Sequence, residues 1–222
     1  MSQELWTAVD AYIKEKMVPA DDVLTAAQKN GLDAGLPAIA VSPTQGKLLH
    51  LMAKMCAARN ILEIGTLAGY STIWLARALS AGGRVITLEM DAKHADVARK
   101  NFALAGLDNV IEVRLGVALD SLPKLVTEGH GPFDVIFIDA DKKNIPAYLD
   151  WSLKLSRPGT VIVVDNIIRD GKVIDGNNPD PDIQGVRRFN DSLTKDSRLS
   201  ATEIQTVGEK GYDGFALLVV NA

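Results

Sequence analysis

Cysteine occurs once in the 222 residues, at Cys56, so the chain can build neither an internal disulfide framework nor a cysteine-based zinc site. Cys56 stands in the helix-patterned run Lys47 to Cys56 and reads as a small buried hydrophobe. Long hydrophobic runs are missing as well. Nowhere do 18 apolar residues follow one another, and the first ten residues carry Glu4 and Asp10 in place of the basic and then apolar pattern of a secretory signal. A soluble chain in a reducing, cytoplasmic setting, with no membrane partner, is the expectation. An excess of positive charge is also absent. The net charge of −4 and the pI near 5.4 give no general attraction to nucleic acid or acidic membranes. Internal repeats and low-complexity tracts are lacking too. So are the G-x-G-x-x-G turn and the P-loop lysine, which disfavours dinucleotides and ATP.

What is present points to one α/β domain over residues 1–222. A single core can grow to about 250 residues before it splits, and 47% hydrophobic content suffices to fill it. Residues 3 to 31 show apolar positions at helical spacing, broken at Val18-Pro19-Ala20 and closed by Asn30-Gly31, which predicts two short helices. Ser42 followed by Pro43 is an N-cap and first-turn pair that starts a third. No catalytic constellation falls in this part, so residues 1–58 read as a helical lid or packing segment. From residue 61 strand candidates recur at Ile61–Gly65, Arg84–Glu89, Val110–Leu115, Phe133–Asp139 and Thr160–Asp165, separated by helix-like segments such as Ser71–Leu79. That alternation is the signature of a parallel sheet with helices on both faces. The tract Arg169 to Pro181 is rich in turn formers and predicts a surface loop, Val186–Leu193 a helix. Ala201–Val207 and Phe215–Val220 read as a hairpin around Glu209 to Gly214.

In such sheets ligands bind outside the carboxyl ends of the strands, and four of the five strands end on polar or acidic residues: Glu63-Ile64-Gly65, Glu89, Asp139 and Asp165-Asn166. The turn Gly65-Thr66-Leu67-Ala68-Gly69 followed by Tyr70-Ser71 gives glycines that let a ligand approach the backbone and a helix amino terminus beside it. Glu89 can accept hydrogen bonds from ribose hydroxyls, and Glu63 near the turn would repel a pyrophosphate but suit a ligand with a cationic end. A nucleoside without pyrophosphate follows. Asp139, Asp165 and Asn166 offer three oxygen donors from adjacent strand ends, a set that suits a hard cation such as Mg²⁺. With only three histidines in the chain and none here, zinc is disfavoured. Arg169, Arg187 and Arg188 are candidates to receive a carboxylate on a substrate.

These residues resemble the cation-dependent, S-adenosylmethionine-dependent O-methyltransferases of the caffeoyl-CoA and catechol type. Three motifs carry the resemblance: Leu62-Glu63-Ile64-Gly65 with Gly69-Tyr70-Ser71, Asp139-Ala140-Asp141-Lys142, and Asp165-Asn166. It implies a Rossmann-like, doubly wound, seven-stranded class I methyltransferase sheet, mostly parallel with an antiparallel C-terminal hairpin, and a homodimer. It implies that Val41, Glu63, Gly65, Thr66, Gly69, Ser71, Glu89, Ala118 and Asp141 contact S-adenosylmethionine, with Glu89 on the ribose and Ala118 near the adenine. Asp139, Asp165 and Asn166 become ligands of Mg²⁺, or of Mn²⁺ or Ca²⁺, and Lys142 the base beside the reacting hydroxyl. The implied substrate is a small phenolic, a vicinal diphenol of catechol, phenolic acid or flavonoid type. Ile167-Ile168-Arg169 stands where plant caffeoyl-CoA enzymes typically have Thr-Leu-Trp, which turns the expectation away from CoA esters. The alternatives are methylation of hydroxylated uridine in transfer RNA, which the acidic charge opposes, and a non-catalytic S-adenosylmethionine-binding protein.

Overall fold

A computed structural model describes residues 2–222. Three helices come first: α1 (Gln3–Met17), α2 (Asp22–Asp33) and α3 (Pro43–Met55). Side chains cap all three. Ser2, Asp21 and Ser42 accept from the backbone N–H three positions on, satisfying donors that a helix start leaves unpaired. The alternating unit then runs β1 (Asn60–Ile64), α4 (Tyr70–Ala76), β2 (Arg84–Glu89), α5 (Ala92–Leu104), β3 (Ile111–Leu115), α6 (Ala118–Thr127), β4 (Val135–Ile138), α7 (Ile145–Lys154) and β5 (Val161–Asp165). It closes with α8 (Pro181–Leu193), β6 (Leu199–Gly208) and β7 (Gly211–Val220).

The strands lie in the order β3-β2-β1-β4-β5-β7-β6. The first five are parallel, and β7 joins them antiparallel between β5 and β6. This is the expected seven-stranded doubly wound sheet. Successive side chains alternate between its faces, so Ile61 packs with Leu49, Ile73 and Phe102 of α3, α4 and α5. Leu62 and Ile64 pack on the other side with Leu122, Leu149 and Phe189 of α6, α7 and α8. The order reverses at β1 and β4, so the carboxyl ends of these two strands open the crevice where a ligand can sit.

Some boundaries differ from the sequence expectation for local reasons. Helix α4 stops at Ala76 rather than Leu79, because Ala78 N–H and Leu79 N–H bond three residues back, to the carbonyls of Leu75 and Ala76, and the last turn tightens. Helix α8 starts five residues before Val186, capped by Asp180 with Pro181 next, and a short 3₁₀ turn at Lys172–Ile174 interrupts the tract before it. The hairpin turn is only Glu209-Lys210, since Tyr212, Asp213 and Gly214 pair in register with β6. Gly214 is there for space: a Cβ would meet the Ile204 carbonyl at 2.4 Å.

Helix α1 has no buried residue, and Leu5, Val9, Tyr12 and Met17 are exposed on it. It nevertheless holds the hairpin turn, with Gln3 Nε2 donating to the Gly208 carbonyl at 2.8 Å and Asp10 Oδ2 accepting from Glu209 N–H at 2.7 Å. Lys210 then donates to the carbonyl of Ala40, in the segment leading into α3. Among the described residues no helix is long and apolar enough to cross a membrane.

Candidate active site

The turn after β1 is shaped by neighbours within the protein. Gly65 has φ +101°, and a Cβ on it would lie 2.1 Å from the backbone oxygen of Asp139. Gly69, at φ +82°, would bring a Cβ to 2.3 Å from the ring of Phe102. The sequence suggests that these glycines clear room for a ligand. In the structure the space a Cβ would need is taken by the end of β4 and by α5, so any other residue at either position would have to push them apart, while the backbone of Gly65 faces the crevice.

Two carboxylates brace the turn from below. Glu63 is fully buried and accepts from three hydroxyls, Ser71 Oγ at 2.6 Å, Thr87 Oγ1 at 2.6 Å and Thr72 Oγ1. Burial pushes its pKa up to about 7 against the pull of those hydroxyls, and the Asp139 charge adds to the rise. Glu89, at the end of β2, accepts from Thr66 N–H at 3.2 Å, Leu67 N–H at 2.8 Å and Asp91 N–H at 2.9 Å. Both carboxylates at this end have their partners inside the protein.

The ends of β4 and β5 are different. Lys142 is buried, and its Nζ lies 2.8 Å from Asp139 Oδ1. Asp141, next to it, accepts from Tyr148 Oη and from Asn144 Nδ2 at 2.6 Å. Asp165 is buried at the end of β5 and accepts from Asn166 N–H at 2.9 Å. Its burial, with the charge of Asp139 beside it, raises its carboxyl well above the usual carboxylate range, and Lys142 offsets only part of this. Asn166 follows at φ +58°. Among the described residues no three His, Cys, Asp or Glu side chains cluster as a metal site, so a third donor here is an amide oxygen. Two carboxylates, one amide and room for water or substrate fit a hard divalent cation and do not fit zinc.

One cavity of about 830 Å³ joins the two ends. Val41, Gly65, Thr66, Ser71, Glu89 and Ala118 line it on the side of β1 to β3, and Asp139, Asp141, Lys142 and Asn166 on the side of β4 and β5. Glu63, Gly69 and Asp165 are not on its wall. Glu63 reaches it only through Ser71, and Gly69 only shapes the turn. Of the three arginines, Arg169 lines the cavity. Arg187 is spent on the Val173 carbonyl at 2.6 Å and Arg188 on the Lys143 carbonyl at 3.3 Å.

Several supporting residues escape a reading of the sequence. Gly185 of α8 lets that helix press on the Lys142 turn, since a Cβ there would lie 2.3 Å from the Lys142 carbonyl. Asp182 accepts from Lys143 N–H at 3.0 Å. Asp213 of β7 accepts from Ile168 N–H and Arg169 N–H, each at 3.0 Å, and fixes the loop after β5. None of the three leaves a signal in the sequence, since even Gly185 stands just before the helix predicted at Val186–Leu193 and falls inside α8 only in the structure.

Comparison with known proteins gives concordant matches. A family model described as O-methyltransferase matches residues 14–218. A relative named catechol O-methyltransferase from Niastella koreensis is 56% identical over 220 residues, 99% of this chain and 100% of that protein. The structure of an O-methyltransferase from Bacillus cereus in complex with SAH superposes with a TM-score of 0.98 at 57% identity, covering 99% of this chain and 100% of the other. That of the O-methyltransferase TomG from Streptomyces achromogenes, in complex with SAM and involved in tomaymycin synthesis, gives 0.97 at 50% identity over 100% of both.

Proposed function

The chain belongs to the O-methyltransferase family and is a SAM-dependent enzyme of that kind, and from that premise we propose that it methylates one hydroxyl of a vicinal diphenol with the help of a divalent cation, Mg²⁺ foremost. The observation that carries this reading is that Asp139, Asn166 and Lys142 line one side of a cavity whose other side carries Gly65, Thr66 and Glu89, with Asp165 buried at the end of the adjacent strand β5. The catechol name of the Niastella relative agrees with it.

Asp139, Asp165 and Asn166 would hold the cation. When bound, the cation supplies Lewis acidity to a hydroxyl oxygen and the sulfonium supplies the methyl group. The protein does the rest by position. Glu89 and the backbone of residues 65–67 seat the ribose end, Ala118 borders the adenine, and Ser71 and Asp141 border the methionine end, with Val41 closing the cavity from the N-terminal segment. Lys142, whose Nζ lies 2.8 Å from Asp139, would take the proton of the hydroxyl to be methylated from its neutral amine form, becoming the ammonium paired with Asp139. A phenolate and a sulfonium neutralise each other in the transfer, so no charge develops that the site must stabilise. Its main contribution is to hold the two reactants in line.

Residues 1–58 serve as lid and packing element. The exposed apolar row Leu5, Val9, Tyr12 and Met17 on α1, beside exposed Ile204 and Val207 of β6, supports packing against a second copy of the chain. Sedimentation at twice the chain mass of 23.9 kDa is expected, and a monomer at micromolar concentration would remove the dimer.

The main test is a screen of the purified protein with labelled SAM and Mg²⁺ on catechol, phenolic acids, flavonoids, CoA esters and transfer RNA. Label on one hydroxyl of a diphenol, lost with chelator and absent from monophenols, is expected. Label on transfer RNA instead would overturn the reading.

A further inference from the structure

The loop after β5 carries a feature that methyl transfer to a plain diphenol does not use. Arg169 lines the cavity beyond Asn166, at the end away from Glu89 and Ala118, and its Nε is buried with no hydrogen-bond partner. A buried donor of this kind costs free energy unless something outside the protein meets it. The backbone there is also held in a conformation that side chains other than glycine avoid, with φ +56° at both Arg169 and Asp170. Asp213 holds it there by accepting from the N–H groups of Ile168 and Arg169. The acids near this end are already engaged: Asp139 with Lys142, Asp182 with Lys143 N–H, and Asp213 with the loop backbone. No hydrogen bond to an acid of the protein satisfies the Nε.

From this geometry we infer that Arg169 receives a carboxylate on the acceptor, so that the preferred substrates are diphenols bearing an acid group. The Nε–H and one Nη–H of a guanidinium form a planar pair of donors that matches the two oxygens of a carboxylate. A neutral acceptor leaves the Nε–H unmet. Arg169 is thereby a specificity residue, with no part in the proton or methyl steps. The inference rests on the diphenol reading for what else the acceptor carries, but the arginine–carboxylate contact can be measured without turnover.

The test compares 3,4-dihydroxybenzoate with 4-methylcatechol, which has the same shape without the charge. Binding by calorimetry to the SAH-loaded, Mg²⁺-supplemented protein and kcat/KM with SAM are both measured, for wild type, Arg169→Met and Arg169→Lys. The wild-type protein is expected to prefer the acid. Arg169→Met should lower the acid-to-methyl preference about tenfold to hundredfold, chiefly through KM, and Arg169→Lys should retain part of it. Thermal unfolding of each variant shows whether the loop still folds. If the acid binds in an Arg169-dependent way but no methyl is transferred, the carboxylate site stands and the diphenol reading falls. If both diphenols are methylated and their ratio ignores Arg169, the carboxylate site is overturned and the diphenol reading stands.

Discussion

The two ends of the cavity differ in how far the protein satisfies itself. At the ends of β1 and β2, Glu63 is met by three hydroxyls and Glu89 by three backbone N–H groups, and the glycines are packed against Asp139 and Phe102. At the ends of β4 and β5, Asp165 is raised by burial as Glu63 is, but Arg169 keeps an unmet donor and three non-glycine residues sit at positive φ, against Leu67 alone in the turn after β1. The first end is complete without a ligand and sets a fixed shape. The second keeps an unmet donor, and on the proposed function a cation and an acceptor would complete it, as expected where binding groups are held in place at some cost in stability.

The largest effect that would sharpen this contrast is that of Asp165→Ala. We expect methyl transfer to fall by at least ~10³-fold, as when a Lewis acid worth several kcal/mol is lost, while SAH binding measured by calorimetry changes little. Loss of SAH binding as well would mean that the ends are one unit. Next comes Lys142→Met, for which turnover at neutral pH should drop by roughly 10²- to 10³-fold and recover in part at higher pH, where the phenol ionises without help. A pH–rate profile parallel to wild type would remove Lys142 as the base.

The smallest effect belongs to the satisfied end. Glu63 is an acid whose folded pKa, about 7, lies above its ordinary 4.5. Between those values the folded state keeps the proton that the unfolded state has released, so the contribution of Glu63 to wild-type stability falls as pH rises through this window and is constant on either side. Glu63→Gln carries no such proton. The difference in unfolding free energy, wild type minus variant, should therefore decline between about pH 4.5 and 7, by up to ~3 kcal/mol at one pKa unit per 1.36 kcal/mol. A difference independent of pH would show Glu63 ionised throughout.

Much of this was legible because strand ends announce themselves. An apolar run that stops on Glu89, Asp139 or Asp165-Asn166 places its last residue at the crevice once the sheet is parallel, and the structure brings these together. The start of α3 was legible for the same kind of reason, since Ser42-Pro43 is a cap followed by a proline. The start of α8 carried an equivalent signal, Asp180-Pro181, hidden among so many turn formers that the tract read as loop. The supports of Lys142 and Arg169 were not legible. Asp182, Gly185 and Asp213 act on residues some 40 positions away in sequence, and only the folded chain brings them there.

The contact between Gly65 and the carbonyl of Asp139 bears on the order in which the site can be made. Every strand of the first end, β1 to β3, precedes residue 118 and so is synthesised before β4. The turn at Gly65 meets β2 and α5 through Leu88, Glu89 and Phe102, but it meets the carbonyl of Asp139 only after β4 has been translated and has docked beside β1. On a growing chain the turn is therefore written before the strand end it packs against, and Asp139 arrives last, closing the contact at Gly65 and bringing Lys142 to the crevice with it.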